Sequence, residues 1–375
     1  MRISIFTALL ICWIGGWAQS PEEKISQLME EHLVMKGKTP VPNFLLYAHN
    51  QQNGRTFHTS AGVLGRDESP IDSSYQFNIA SITKTFVSVI VLQMVEEGKL
   101  SLDDLAGNYL DDIPFIRYEE FLIHEKSSVS DKITIRMLLN HTSGIPDVFT
   151  DAETRFFLSV YLHPKRKYTP QSFVKKYFSY KLHKKPVNLP GEGFHYSDMN
   201  YMLLGFIIEK LGNTTLHEAI RERILIPLGM KETFFVYYET EGDTGKRIDA
   251  FLNKLNLTKR VNTSYEWAGG GLVATTRDLA LFIEGLFEGK LFQKAKTLEQ
   301  MTDISLTEAF DGNYGLGIYK FSISDVSYYG HGGFYGSIML YSPEEKITLV
   351  TNVGQANAPW HTGKMLNEVI TILKM

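Results

Sequence analysis

The spacing of apolar positions changes along the chain, and the changes mark its parts. From 21 to 36, Ile25, Leu28, Met29, Leu33 and Met35 recur among Glu and Lys at helical intervals, which predicts an amphipathic first helix. Phe44 to Ala48 reads as a buried strand, Asn53-Gly54 as a hairpin turn, and Arg55 to Val63 as the returning strand. Ser81 to Glu97 is apolar on nearly every side (Ile82, Phe86, Val87, Val89, Ile90, Leu92, Met94, Val95) and stops at Gly98. A helix without a polar face belongs in the middle of a core.

Residues 102–230 carry mostly helical patterns broken by loops, among them Asn200 to Leu211 with Gly212 as its stop. Within that stretch, Lys165 to Lys185 holds eight Lys/Arg and no acid. A run of this kind reads as a solvated face, with a basic rim beside an acidic substrate as the sharper alternative. The C-terminal third returns to strands at Val326 to Tyr329, Tyr335 to Tyr341 and Lys346 to Val353, and Trp360 to Met375 closes as a helix. The order predicts an α+β fold: an antiparallel sheet completed by both chain ends and flanked by helices, with an all-helical lobe of about 102–230 inserted between them.

Residues 1–18 have a different character. Arg2 precedes an apolar run from Ile3 to Trp13, and Gly16 and Ala18 supply small residues for cleavage after Ala18. This is the pattern of a secretory signal peptide, which makes 19–375 the mature domain and the protein secreted or periplasmic. The run is shorter than the ~20 residues of a spanning helix, so membrane contact is expected only through an uncleaved leader. The single cysteine, Cys12, lies in that leader, which leaves the mature chain without a disulfide or a cysteine nucleophile. With 38 Lys+Arg against 42 Asp+Glu, nothing draws the chain toward nucleic acid.

Several common motifs fail. His217-Glu218 has no second His at zinc-protease spacing. Gly269-Gly270-Gly271 lies in no convincing βαβ unit and reads as a turn or a tight backbone approach. No G-x-S-x-G elbow exists.

Ser-x-x-Lys, in contrast, occurs twice, as Ser81-Ile82-Thr83-Lys84 and as Ser172-Phe173-Val174-Lys175. Ser172 follows Pro170 on a polar helix. Ser81 opens the buried helix, where free N–H groups and the positive dipole end gather. Lys84 lies one turn on, on the same face, and a buried lysine loses proton affinity and can serve a serine as base. On these four residues alone, a capping Ser81 with a solvated Lys84 is an equal reading. Two further segments shift the balance: Tyr196-Ser197-Asp198 just before a helix, and His331-Gly332-Gly333-Phe334 on a strand.

Ser-x-x-Lys, Tyr-x-Asn and His-x-Gly in this order resemble the serine β-lactamase and penicillin-binding-protein superfamily. The chain is most similar to the branch of class C β-lactamases, DD-peptidases and D-aminopeptidase-like hydrolases. Leu138-Leu139-Asn140-His141-Thr142-Ser143-Gly144, Pro227-Leu228-Gly229-Met230 and Tyr314-Gly315-Leu316-Gly317 add to the resemblance, and His141 reads as a loop-packing histidine. The resemblance implies a β-lactamase/transpeptidase-like fold with Ser81 as acylated nucleophile and Lys84 and Tyr196 sharing the proton work. It implies His331, Gly332 and Gly333 as the substrate strand, with glycines that let a substrate backbone lie close. The backbone N–H groups of Ser81 and Phe334 would form the oxyanion hole. Neither metal nor cofactor is implied.

Two positions depart from the β-lactamase pattern. Asp198 stands where Tyr-x-Asn has Asn; an ionised Asp accepts but cannot donate. It is expected to hold Lys84 protonated, which leans the base role toward Tyr196, and to suit a substrate amine better than an amide carbonyl. His331 stands in place of a lysine and anchors a carboxylate less well. The expectation is therefore a serine hydrolase of a D-amino-acid peptide, amide or ester, a small or cell-wall-derived substrate. A true class C-type β-lactamase and a catalytically silent cell-wall peptide-binding relative are the alternatives.

Overall fold

The computed structural model describes residues 19–65, 69–359 and 362–375. The leader, with Cys12 and the cleavage site after Ala18, lies outside the described residues, as do Trp360 and His361 at the start of the last predicted helix. No helix among the described residues is long and apolar enough to cross a membrane.

Helix α1 (Pro21–Glu31) begins on a capping box in which Ser20 and Glu23 satisfy each other's backbone. It stops short of residue 36 because Val34 turns back to bridge Val41. Strands β1 (Asn43–Asn50) and β2 (Arg55–Gly62) form the expected hairpin. From the other chain end come β3 (Tyr319–Ile323), β4 (Val326–Gly333), β5 (Ser337–Ser342) and β6 (Ile347–Asn352). The six strands run in the order β3-β4-β5-β6-β1-β2, every pair antiparallel, so β6 against β1 joins the two ends of the chain. The sequence pattern did not foresee β3, an edge strand only partly buried along its length.

The sheet is covered on both faces, and the two-residue period of its strands sorts side chains between two cores. Leu46, Leu340 and Leu349 face the smaller core, which α1 and the last helix complete. Their neighbours Leu45, Met339 and Val350 face the larger one, centred on α2 (Thr83–Glu96). Eleven of the fourteen residues of α2 are buried, Lys84 among them, so the absence of a polar face has the expected cause. Phe86 of α2 stacks on Phe282 at 3.7 Å between ring centres, tying α2 to a helix (Thr276–Phe287) laid on the sheet. On its other side α2 packs against α3 (Asp198–Gly212), which is buried along most of its length.

The inserted region departs from the expectation in detail. It is mostly helical, but a small hairpin pairs Ile123–His124 with Ser127–Ser128. Outside that region, a second sheet of three short strands (Phe77–Asn78, Leu272–Ala274, Phe234–Phe235) sits just before the Ser81 segment. Strands of two or three residues carry no readable period, so only tertiary pairing defines them.

Candidate active site

Four elements converge on one cavity of about 650 Å³: the turn before α2, the start of α3, the end of β4, and the Trp267–Gly270 turn. Ser81 lies in a short 3₁₀ turn, Ala80–Ile82, leading into α2. Ala80 just before it has φ 46, in the left-handed region. A residue with a side chain is strained there by roughly 1–3 kcal/mol and stays only where its surroundings enforce it. Burial does so here: Ile79 and Ile82 are sealed on either side, while Ser81 lines the cavity.

Lys84 is the most constrained group in the site. Its Nζ donates to Ser81 Oγ at 3.1 Å, to Asp198 Oδ1 at 2.6 Å and to the Gly269 carbonyl at 2.7 Å. Three acceptors match the three N–H bonds of an ammonium, and the ion pair with Asp198 supplies the charge that a buried cation needs. The glycines allow the approach: a Cβ at Gly269 would stand 2.4 Å from Asp198 Oδ1. The tight backbone approach read into Gly269-Gly270-Gly271 is thus an approach to Lys84 and Asp198.

Tyr196 precedes α3 and stacks edgewise and flat among rings, with His141 at 4.2 Å and Tyr319 parallel at 6.3 Å. Lys84 Nζ lies 5.1 Å from its ring centre. Its hydroxyl is buried with no hydrogen-bond partner among the described residues. Burial first, and then the Asp198 carboxylate, push this phenol well above its ordinary range; the nearby Ser81 hydroxyl opposes them. The expected pairing of Asp198 with Lys84 is present, while the same carboxylate disfavours the phenolate that a base role for Tyr196 would need. A carboxylate beside a phenol makes the phenolate harder to form.

His331 lies in β4 opposite Met339 and is buried. Its Nδ1 sits 2.7 Å from the Gly332 carbonyl, which only accepts, so Nδ1 carries the proton. Nε2 then accepts from the Tyr314 hydroxyl at 3.1 Å. Burial, and next the Lys84 charge, lower this ring to about 3. The imidazole is neutral and both its nitrogens are engaged. The two glycines that follow differ. A Cβ at Gly333 would stand 2.2 Å from the Ile79 carbonyl, so this glycine seats β4 against the turn that carries Ser81 rather than against the open cavity. At Gly332 a Cβ would meet only the Ser337 carbonyl at 3.9 Å, beside the open cavity. Phe334 lies just past the strand, is 47% exposed and lines the cavity. His141 packs as expected: its Nδ1 accepts from Ser197 N–H and Asn200, both at 3.1 Å.

Two acids escaped the sequence reading. Asp147 is buried, accepts from the backbone N–H of Asp198 at 2.7 Å, and also holds Phe149 and Thr150 through their N–H groups. Burial and the Asp198 charge raise its carboxyl. Glu266 lines the cavity and accepts from the Tyr335 hydroxyl; burial pushes it up to about 8. Each sits beside a quoted motif, Asp147 after Gly144-Ile145-Pro146 and Glu266 before Trp267-Ala268-Gly269. That adjacency was the available signal.

A sequence model of the family described as Beta-lactamase matches residues 46–362. The chain belongs to this family. It is a serine hydrolase of that family in a β-lactamase/transpeptidase-like fold. Solved structures of similar fold include a D-stereospecific amidohydrolase from Streptomyces (24% identical, TM-score 0.72, covering 92% of this chain and 97% of that one). Another is the D-amino acid amidase of Ochrobactrum anthropi (22% identical, TM-score 0.74, covering 94% and 98%). Among curated proteins, a Salmonella agona protein called a putative D-alanyl-D-alanine carboxypeptidase is 26% identical over 76% of this chain and 70% of its own length. Protein flp of Staphylococcus aureus is 29% identical over 57% of this chain, an alignment that spans only 41% of that protein.

Proposed function

We propose that this family member hydrolyses a D-amino-acid amide, peptide or ester through an acyl-enzyme on Ser81. The three-way grip on Lys84 Nζ by Ser81, Asp198 and Gly269 carries the reading. As an ammonium, Lys84 has no lone pair for the serine proton. Asp198 Oδ1, at 2.6 Å, can take one proton from Nζ and leave an amine facing Ser81 Oγ. The amine accepts the serine proton as Oγ attacks the carbonyl carbon, and the Lys84–Asp198 pair acts as one base. Backbone N–H groups of Ser81 and Phe334 hold the developing oxyanion. Tyr196, kept a neutral phenol by burial and by Asp198, gives its proton to the leaving amine or alkoxide, and the pair restores it. Water then repeats the sequence and frees the acid product. On the reading of 1–18 as a cleaved leader, this takes place outside the cytosol.

Amide or ester chemistry is favoured over a carboxypeptidase or β-lactamase by charge. The cavity lining among the described residues contains no lysine or arginine, and His331 is neutral. A carboxylate at the end of a peptide or on a β-lactam finds no cation except Lys84, which is buried and paired with Asp198, whereas an amide or ester leaving group needs none.

The test is a screen of the mature chain against D-amino-acid amides, p-nitrophenyl esters and nitrocefin, with intact mass read during turnover. Amide or ester hydrolysis with an acyl mass on Ser81 is expected. Nitrocefin turnover exceeding every amide and ester would reverse the order of substrates, and no mass shift with a fluorophosphonate would mean a silent relative.

A further inference from the structure

As a whole the chain carries more acid than base and has no pull toward an anionic surface. One face differs. The run Lys165 to Lys185 holds eight Lys/Arg and no acid, and Arg155 reaches into it, donating to the Tyr180 carbonyl and stacking on the Tyr180 ring at 4.6 Å. Among the described residues none of these cations is ion-paired to a carboxylate, whereas Arg117, Arg136, Arg221, Arg223 and Arg247 all are. Lys176 Nζ donates to Ser159 Oγ at 3.0 Å; burial, opposed by Tyr168 and helped by the Arg166 charge, lowers this ammonium from its usual range. Cations gathered without acids between them repel one another, and an anionic partner removes that cost.

Beside these cations runs the helix Glu153–Leu162, which buries Phe156 and Val160 and turns Glu153 and Phe157 to the cavity. Round its outer side, at about 100° per residue, Phe157 is followed by Tyr161, Thr154, Leu158, Leu162 and Arg155. Tyr161 is 78% exposed, Leu162 61% and Leu158 54%. Three large apolar side chains thus form one exposed stripe, with the cavity along one edge and the cations along the other. A single exposed leucine is ordinary; a contiguous apolar stripe marks a contact surface.

We propose that this stripe and its basic flank dock the protein on a lipid bilayer with anionic headgroups, Leu158, Tyr161 and Leu162 entering the boundary of headgroups and acyl chains and the lysines and arginines meeting the lipid phosphates. Charge and apolarity together select this occupant. A second copy seated symmetrically on the same face sets like charges against each other. A soluble polyanion pairs the cations and leaves the leucines in water. A bilayer takes both: tyrosine and leucine settle at its interface, and its negative surface potential attracts basic side chains. Docked in this way, Glu153 and Phe157 place the cavity beside the membrane surface. The proposal stands apart from the acyl-enzyme reading, since none of the docking residues takes part in the chemistry.

The chain from Gln19 onward, free of the apolar leader, is sedimented with vesicles of phosphatidylcholine alone and of phosphatidylcholine and phosphatidylglycerol in equal parts. Binding to the anionic vesicles should be about tenfold tighter or more, and should weaken by about tenfold when salt rises from about 0.05 M to about 0.5 M. Serine at Leu158, Tyr161 and Leu162 together should cost about tenfold or more, as should Arg166→Glu with Lys167→Glu, with circular dichroism and thermal unfolding unchanged because every altered side chain is exposed. Tryptophan placed by Tyr161→Trp should be quenched by brominated lipid in the anionic vesicles. Equal binding to both vesicle types, anionic binding untouched by the triple serine variant, or an unquenched tryptophan would overturn the proposal. So would capture of soluble polyphosphate without vesicle binding, which would make the face a polyanion site, or a dimer in sedimentation velocity that the triple variant dissolves without vesicle binding.

Discussion

The chain spells Ser-x-x-Lys twice, and the two copies have opposite fates. At Ser81 the motif stands where a strained turn enters a helix buried on all sides, and Lys84 reaches the serine, a carboxylate and a carbonyl. At Ser172 it lies on an amphipathic helix (Pro170–Ser179), and the serine hydroxyl joins a capping box with Thr169. Lys175 is exposed. The spacing places both side chains on one helical face in each copy. What separates them is what the rest of the chain packs around that face. Asp198 and Gly269 come from segments 114 and 185 residues from Lys84, and among the described residues nothing comparable approaches Lys175.

The largest test of this contrast is covalent labelling. Ser81→Ala should abolish hydrolysis and fluorophosphonate labelling, while Ser172→Ala should retain both. A label that maps to Ser172 would invert the comparison.

Next come the lysines. Lys84→Ala should lower kcat by at least ~10²-fold, the scale of one acid–base contribution. It also leaves the Asp198 charge unpaired in a largely buried site, a loss of about 3–5 kcal/mol in unfolding free energy. Lys175→Ala should stay within about 0.5 kcal/mol and keep full activity. Tyr196→Phe should match Lys84→Ala in kcat, and the double variant should lose much less than the product of the two. Multiplicative losses would mean separate proton paths.

Acid should strike the first region selectively. His331 titrates at about 3 in the fold and at 6.5 in an unfolded chain. Its depressed value contributes stability that is complete above pH 6.5 and declines as pH falls toward 3. Between pH 6.5 and 4.5 this amounts to roughly 2–3 kcal/mol. Denaturant unfolding of His331→Gln should show a shallower acid slope than wild type; identical slopes would mean that this ring does not carry the acid sensitivity. A small effect, confined to stability, belongs to the second region: Thr169→Ala removes a helix cap and should cost about 1 kcal/mol with activity intact.

Much of this was legible in one dimension. Helix α2 announced itself by having no polar face, and α1, the β1–β2 hairpin and the C-terminal strands announced themselves by period and turn chemistry. Ser81 and Lys84 could be picked out because chemistry of this kind needs particular residue types at short spacings, and Tyr196 and the His331 strand because their motifs, in this order, resemble those of a known superfamily. The edge strand β3 and the three-stranded sheet could not, since partly buried or two-residue strands leave no pattern. Asp147 and Glu266 gave no signal beyond their adjacency to quoted motifs, because a lone acid in a loop looks the same in solvent as at a cavity wall.

Side-chain type and local spacing are properties of neighbours in the chain, so the sequence alone determined α1, α2, the β1–β2 hairpin and the longer C-terminal strands, and which serine was the better nucleophile candidate. Partnership is a property of neighbours in space. Tertiary structure alone decided that Asp198, beside Lys84 as expected, also hardens the phenol of Tyr196, that both nitrogens of His331 are engaged within the protein, and that Gly333 serves the turn that carries Ser81. Each of these depends on distances of a few ångströms between segments far apart in sequence, and on the loss of water that makes a charge or an unpaired oxygen matter.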